Sequence, residues 1–518
     1  MAKGRCSEMK NAVGREIPAG ITGYSITPYQ GPWGCIPSRL ASGGKCVSVS
    51  ASEKVLKSID AAIDAAGLQD GMTISFHHHL RNGDFVMKLV VDAIARKGIR
   101  GLKLSASSLS AVQDAIVPHL ETGVITAIDT SGIRGEIGKF VSAGKLPNPV
   151  MIRTHGGRAR AIEAGELPID VAFIAAPACD SYGNINGIEG PGACGSLGYA
   201  IVDAACAKMV IAITDNLVNY PLERISIPQT QVDFIVKVDS IGDPQGISTG
   251  SLRISSNQQE LLISQYAATV IEHSGYFRDN FSLQLGSGGP SLTAAKFIKE
   301  KMKARGITAA FGVGGITGIF VEMMEEGLVN LLFDAQSFDS TAIQSLRKNP
   351  RHLEMSASYY ASPGTCGPIV NNVDAVILSA TEVDVNFNVN VLTGSNGNLM
   401  GAPGGHPDTA AGSNLCIVAL PLVRKNFPVI RESVHTIVTP GETVDVIVTD
   451  RGVAINPLRK DLIYNLKDSG LPILQIEDLQ RLAYEITGTP SPGPAGGDIV
   501  GLVEYRDGTI IDVIRKIE

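Results

Sequence analysis

Hydrophobic positions along this chain alternate between short continuous apolar runs and a helical spacing of three to four residues. Order is expected to begin at Ser52-Glu53-Lys54, with Val55, Ile59, Ala62 and Ile63 sharing one helical face. Residues 72–76 form a strand-like run, and residues 85–96 set Val86, Leu89, Val90 and Ile94 on one side of a helix. Gly98 stops that helix and residues 102–104 open the next strand. Strand, helix and strand joined by short connections predict parallel pairing, with helices over the sheet faces.

The same phrase returns in the second half. A helix over 292–304 follows Gly289 and stops at Gly306, and 307–313 reads as a strand. Closer echoes pair Ile169-Asp170-Val171-Ala172-Phe173-Ile174 with Val373-Asp374-Ala375-Val376-Ile377-Leu378, each followed by a second aspartate, Asp180 or Asp384. Val232-Asp233-Phe234-Ile235-Val236 likewise matches Val444-Asp445-Val446-Ile447-Val448. Three matches in one order predict two copies of an α/β unit, each with a mostly parallel sheet flanked by helices. The expected division is an extension over 1–50, a first domain over 51–282 and a second over 283–518. The extension carries Trp33, shows no sustained period, and reads as a segment laid over the domain or partly mobile.

Composition narrows the class. A chain of 518 residues exceeds what one core usually serves, and 44% hydrophobic with 18% charged residues indicates a packed globular protein. The net charge of −7 and the lack of a basic stripe argue against nucleic acid as a partner. No run approaches the length of a membrane span, and the N-terminus lacks the apolar stretch of a signal peptide. Cys6, Cys35, Cys46, Cys179, Cys194, Cys206, Cys366 and Cys416 are scattered with no Cys-x-x-Cys pair, which fits reduced thiols in the cytoplasm.

Candidate chemistry sits in loops that follow strands, where ligands of open α/β sheets bind. His77-His78-His79-Leu80-Arg81 is one. Alternate residues of a strand face opposite ways, so the three histidines cannot all share a site, and no motif supplies further metal ligands. No metal site is expected. An oxyanion or carboxylate held by backbone N–H groups and Arg81 suits the loop better. Arg134, in Ser131-Gly132-Ile133-Arg134-Gly135, and the run Arg153-Thr154-His155-Gly156-Gly157-Arg158 are further candidates for a substrate with several carboxylates. Gly404-Gly405-His406 adds another flexible approach. Neither a dinucleotide fingerprint, a Walker loop nor a Gly-x-Ser-x-Gly elbow is present.

Several long runs resemble one family, the citrate lyase alpha chain. They include Gly71-Met72-Thr73-Ile74-Ser75-Phe76-His77-His78, Gly195-Ser196-Leu197-Gly198-Tyr199-Ala200, Gln336-Ser337-Phe338-Asp339 and the stretch from Val448 to Pro457. Phe387 through Gly397 belongs with them. The resemblance covers residues 50 to 518 and implies the acyl-CoA transferase fold, with two CoA-transferase-like domains. It also implies exchange of acetyl for citryl on the thiol of an acyl carrier protein, with release of acetate. The implied partners are a beta chain that cleaves citryl thioester and a gamma carrier chain, together a hetero-oligomer. The gamma chain would bear the phosphoribosyl-dephospho-CoA arm, with no cofactor attached to the present chain.

Related acyl-CoA transferases place a nucleophilic Glu where this chain has Ser395, ahead of Asn396 and Gly397. The simplest path is then direct attack of a citrate carboxylate on the acetyl thioester, through a mixed anhydride. Ser395, Asn396 and Gly397 with Gly404 and Gly405 are expected at the thioester, and His77, His78 and Arg81 at the oxyanion or citrate. Arg134, Arg153, His155 and Arg158 remain for other carboxylates. A transferase using free CoA thioesters and a non-catalytic ligand-binding homologue are the alternatives.

Overall fold

Two mostly parallel sheets share one strand order, and this duplication organises the molecule. The computed structural model describes residues 8–21, 23–32, 54–248, 257–286, 288–490 and 496–517. Trp33, Cys6, Cys35, Cys46, Ser52 and Glu53 lie outside the described residues. In the first sheet Val150–Ile152, Ile125–Thr130, Leu102–Ala106, Thr73–Phe76, Val171–Ala176, Met209–Thr214 and Phe234–Lys237 lie side by side in parallel. In the second the order is His352–Glu354, Val329–Ser337, Ala309–Ile316, Ser282–Leu285, Ala375–Leu378, Leu415–Ala419 and Val446–Val448. Central strands such as Val171–Ala176 are buried throughout because helices cover both faces, which is why they read as unbroken apolar runs.

The repeated aspartates now have a physical reason. Asp170 accepts from the Thr73 amide at 2.8 Å and Asp374 from the Ser282 amide at 3.0 Å, each pinning the start of a neighbouring strand. Asp233 and Asp445 do the same for the amides of Val210 and Cys416, both at 2.7 Å. Asp180 and Asp384 instead close matching turns, taking the amides of Asn184 and Asn388 at 3.1 and 3.0 Å.

Edges differ between the copies. Val55–Leu56, expected on a helix, adds as a parallel strand beside Phe234–Lys237, and the helix Ile59–Ala65 starts only after Ser58 caps the Ala61 amide. Val453–Ile455 closes the second sheet antiparallel to Val446–Val448. The hairpin Ile499–Glu504 and Ile510–Arg515 leaves the second sheet altogether and pairs with Val150–Ile152, so the end of the chain completes the first sheet. The described part of the N-terminal extension lies on this hairpin. Asn11 donates to the carbonyls of Ile510 and Ile511, and Tyr29 packs edge-on against Tyr505 at 4.9 Å.

Where the copies meet, backbone approaches backbone. The helix His155–Glu163 opens with Gly156, whose Cβ, if present, would stand 2.1 Å from the Ala361 carbonyl oxygen of the other half. Gly156→Ala is expected to lower the unfolding free energy measured in urea by about 1–3 kcal/mol, the usual range for overpacking. Gly20→Ala, with open space at its Cβ, should change stability by less than about 0.5 kcal/mol in the same measurement.

Candidate functional site

Between the carboxyl ends of the two sets of strands lies a cavity of about 610 Å³. The first half supplies a charged and polar wall through His78, Arg81, Ser108, Arg134, His155 and Tyr199. The facing wall is built from Leu285, Gly286, Gly315, Leu378, Ala380 and Val391, with the loop from Met400 to Gly405 across it.

The three consecutive histidines separate by strand alternation. The rings of His77 and His79 stack at 6.2 Å on one side, and His78 turns to the cavity on the other. His77 Nε2 lies 3.1 Å from Asp203, and neither it nor that carboxylate lines the cavity. His78 stacks on Tyr199 at 4.7 Å and on His155 at 5.6 Å, its Nδ1 lies 2.6 Å from Ser107 Oγ, and its carbonyl accepts from Gln336 of the other half at 2.8 Å. Burial first, then His155 and Arg81, hold the His78 imidazole well below its ordinary pKa. His155 is lowered to about 3 by burial and by the charges of Arg158 and Arg134. Both rings are therefore neutral near pH 7 and act as hydrogen-bonding groups, not as cations.

Charge in the cavity comes from arginine. Arg81 adopts the left-handed conformation at φ 51°, its guanidinium lies 4.8 Å from the Phe338 ring centre, and its buried Nη1 has no hydrogen-bond partner. Burial and the neighbouring Arg134 charge lower its pKa to about 10. Arg134 keeps solvent access, and burial of part of its side chain lowers its pKa as well. Among the described residues neither guanidinium is paired with a carboxylate. Arg153 and Arg158 differ. Arg153 holds Asp129 at 3.0 Å and also Glu504, while Arg158 grips both oxygens of Asp203 at 2.8 Å, and neither arginine lines the cavity.

The Ser-Asn-Gly segment forms the tip of a turn beside the cavity. Gly394 and Asn398 pair across it at 2.9 Å, and Thr393 and Leu399 bridge antiparallel. Val391 and Met400, on its two limbs, line the cavity; Ser395, Asn396 and Gly397 do not. Ser395 Oγ donates to Glu382 Oε2 at 2.9 Å. Burial would raise the Glu382 pKa, but hydrogen bonds from the His435 amide, Arg431 and Asn390 hold it below the ordinary value. Such a satisfied carboxylate is a weak base toward the serine. Gly404 and Gly405 do reach the cavity. The Gly404 carbonyl accepts from the His155 amide at 2.8 Å, and a Cβ on Gly405 would stand 2.6 Å from the Tyr360 hydroxyl.

Tyr199, Gln336, Arg424 and Glu382 were not singled out as site residues from the sequence. Tyr199 and Gln336 stood in runs that resemble the family, and Glu382 carried a local signal: it is a charged residue where the matching strand of the first half has Ala178.

The family model for "Citrate lyase, alpha subunit (CitF)" matches residues 52–517. The chain belongs to that family. It is 50% identical over 502 residues to the citrate lyase alpha chain of Klebsiella pneumoniae, covering 97% of both chains. Against the citrate lyase alpha chain of Escherichia coli (strain K12) it is 49% identical over 465 residues, covering 90% of this chain and 91% of that one. A solved structure assigned to the citrate lyase alpha subunit of Streptococcus mutans, in complex with citrate, superposes with a TM-score of 0.95. It is 48% identical, with 98% of this chain and 100% of that chain covered. A Pseudomonas malonate decarboxylase hetero-tetramer in complex with malonate, 17% identical with a TM-score of 0.64 and 84% of each chain covered, shares the fold. The citrate lyase alpha family is thus shown, together with its α/β fold of two mostly parallel sheets flanked by helices.

The two classes of arginine should respond oppositely to truncation. Arg153→Met strands buried Asp129 and leaves Glu504 with Arg160 alone, and should cost about 3–5 kcal/mol of stability in urea unfolding. Arg81→Met removes a partly desolvated charge that has the Phe338 ring but no carboxylate beside it among the described residues, so the midpoint of the free protein should rise or hold.

Proposed function

We propose that the chain exchanges acetyl for citryl on the thiol of an acyl carrier protein and releases acetate. One observation carries the reading: among the described residues, the cavity is lined by arginines and neutral histidines and by no Asp or Glu. Free guanidiniums suit a substrate with several carboxylates. The lack of a protein carboxylate suits a reaction in which the substrate brings its own. The family relatives named for citrate lyase, and the citrate bound in the Streptococcus mutans structure, supply the substrate class.

On this reading Arg81 and Arg134 hold citrate. One citrate carboxylate attacks the acetyl thioester carbonyl; a new C–O bond forms, the C–S bond breaks, and the carrier leaves as thiolate. The product is a mixed citric–acetic anhydride. The thiolate then attacks the citryl carbonyl, the anhydride C–O bond breaks, and acetate departs. The exchange trades one thioester for another and requires no ATP. The protein contributes orientation and hydrogen bonds to the developing oxyanion, which His78 or backbone N–H groups near Gly405 supply. A gamma chain carrying the phosphoribosyl-dephospho-CoA arm and a beta chain that cleaves citryl thioester complete the hetero-oligomer.

Acetylated carrier with labelled citrate should release acetate without ATP. No release from well-folded protein would overturn the reading. Ser395→Ala should retain most of the rate, since its hydroxyl serves the Glu382 contact, and hydroxylamine should trap no acyl-enzyme. Arg81→Gln should raise the citrate KM about tenfold or more, the scale of one lost charge-assisted pair.

A further inference from the structure

We infer that Arg424 forms a phosphate subsite for the thioester reactant, an inference that rests on the transfer reading above. The second-half wall of the cavity is apolar or uncharged along Leu285, Leu378, Ala380 and Val391. Burial lowers the pKa of its one histidine, His406, to about 4, so that ring is neutral. Arg424 is the only cation this wall offers among the described residues.

Its guanidinium is fixed but not neutralised. Nη1 donates to the Thr381 carbonyl at 3.1 Å and Nη2 to the Ala380 carbonyl at 2.9 Å, and both acceptors belong to cavity-lining residues. Main-chain carbonyls orient a guanidinium without cancelling its charge, and the remaining N–H groups are free for an anion. The short hairpin of Val423–Arg424 and Phe427–Pro428 presents it, with Lys425 at the turn in the left-handed conformation at φ 56°. Citrate belongs to the opposite wall, where Arg81 and Arg134 stand. The other reactant is a thioester on a long amide-bearing arm. Such an arm is uncharged near its sulfur, which suits the apolar wall, and carries phosphate beyond it, which suits Arg424.

Acetyl-CoA carries phosphates and acetyl-pantetheine carries none, so the two donors isolate the contact. Arg424→Gln should lower the preference for acetyl-CoA over acetyl-pantetheine, as a ratio of kcat/KM, about tenfold, while the citrate KM holds. Arg424→Lys should keep part of the preference. Calorimetric binding of CoA without citrate should weaken about tenfold in Arg424→Gln, and this readout stands even if no turnover occurs. An unchanged donor ratio and unchanged CoA binding would overturn the inference, as would a rise confined to the citrate KM. With acetylated carrier as donor, a parallel loss assigns the subsite to the carrier-borne arm, and a loss with acetyl-CoA alone assigns it to free CoA.

Discussion

Asp408 joins the two halves beside the cavity, accepting from Thr154 Oγ1 and from the Gly156 amide, both at 2.9 Å. These donors stand at the N-terminus of the helix His155–Glu163, so the same contact that unites the halves also places His155. It works only because glycine permits the approach. A reciprocal clasp comes from the first half: Ser196 Oγ donates to the Asp334 carbonyl at 2.7 Å and the Leu197 amide to Glu354 at 2.6 Å. There, too, a side chain is excluded, since a Cβ on Gly195 would stand 2.0 Å from Ser337 Oγ. Backbone and hydroxyl donors meeting buried acceptors across the interface are costly to leave unpaired, which holds the cavity in one shape.

Within that frame the two copies keep one central strand order and diverge in charge around the cavity. The strand Thr73–Phe76 leads to His78 and Arg81, and its counterpart Ser282–Leu285 leads to Gly286. One wall therefore concentrates positive potential while the other stays nearly neutral. On the transfer reading, a polyanion and the uncharged end of a thioester arm can then lie side by side without competing for the same contacts. Neutral imidazoles extend this division. Were His78 and His155 charged, the wall would grip every carboxylate and leave none free to react.

Periodicity and the aspartate echoes made the two-fold α/β plan legible, because strand pinning acts over local patterns that a sequence preserves. His78, Arg81, Arg134, His155, Gly404 and Gly405 were legible as loop residues after strands, and the fold brings them to one cavity. Arg153 and Arg158 looked the same in sequence. Their partners Asp129, Glu504 and Asp203 lie 24, 351 and 45 residues away, so nothing local distinguishes a paired arginine from a free one. The Ser395 turn was legible as a departure from a known pattern, but its direction was not. Glu382, thirteen residues earlier, sets that direction by accepting the serine hydroxyl.

The count of free arginines bears on how the transfer can run. A carboxylate gripped by a guanidinium loses electron density to the ion pair and is a poorer nucleophile than one facing neutral donors. Citrate has three carboxylates, and the charged wall offers Arg81 and Arg134. On the transfer reading two carboxylates anchor the substrate and the third remains unpaired, facing the neutral imidazoles and the apolar wall where the thioester lies. Desolvation there strengthens its attack, and among the described residues no Asp or Glu lines the cavity to repel it. On the same reading, a lining without Asp or Glu is suited to a substrate that supplies its own carboxylate. A fixed carboxylate in that cavity would compete with citrate for the acyl group and repel its negative charge.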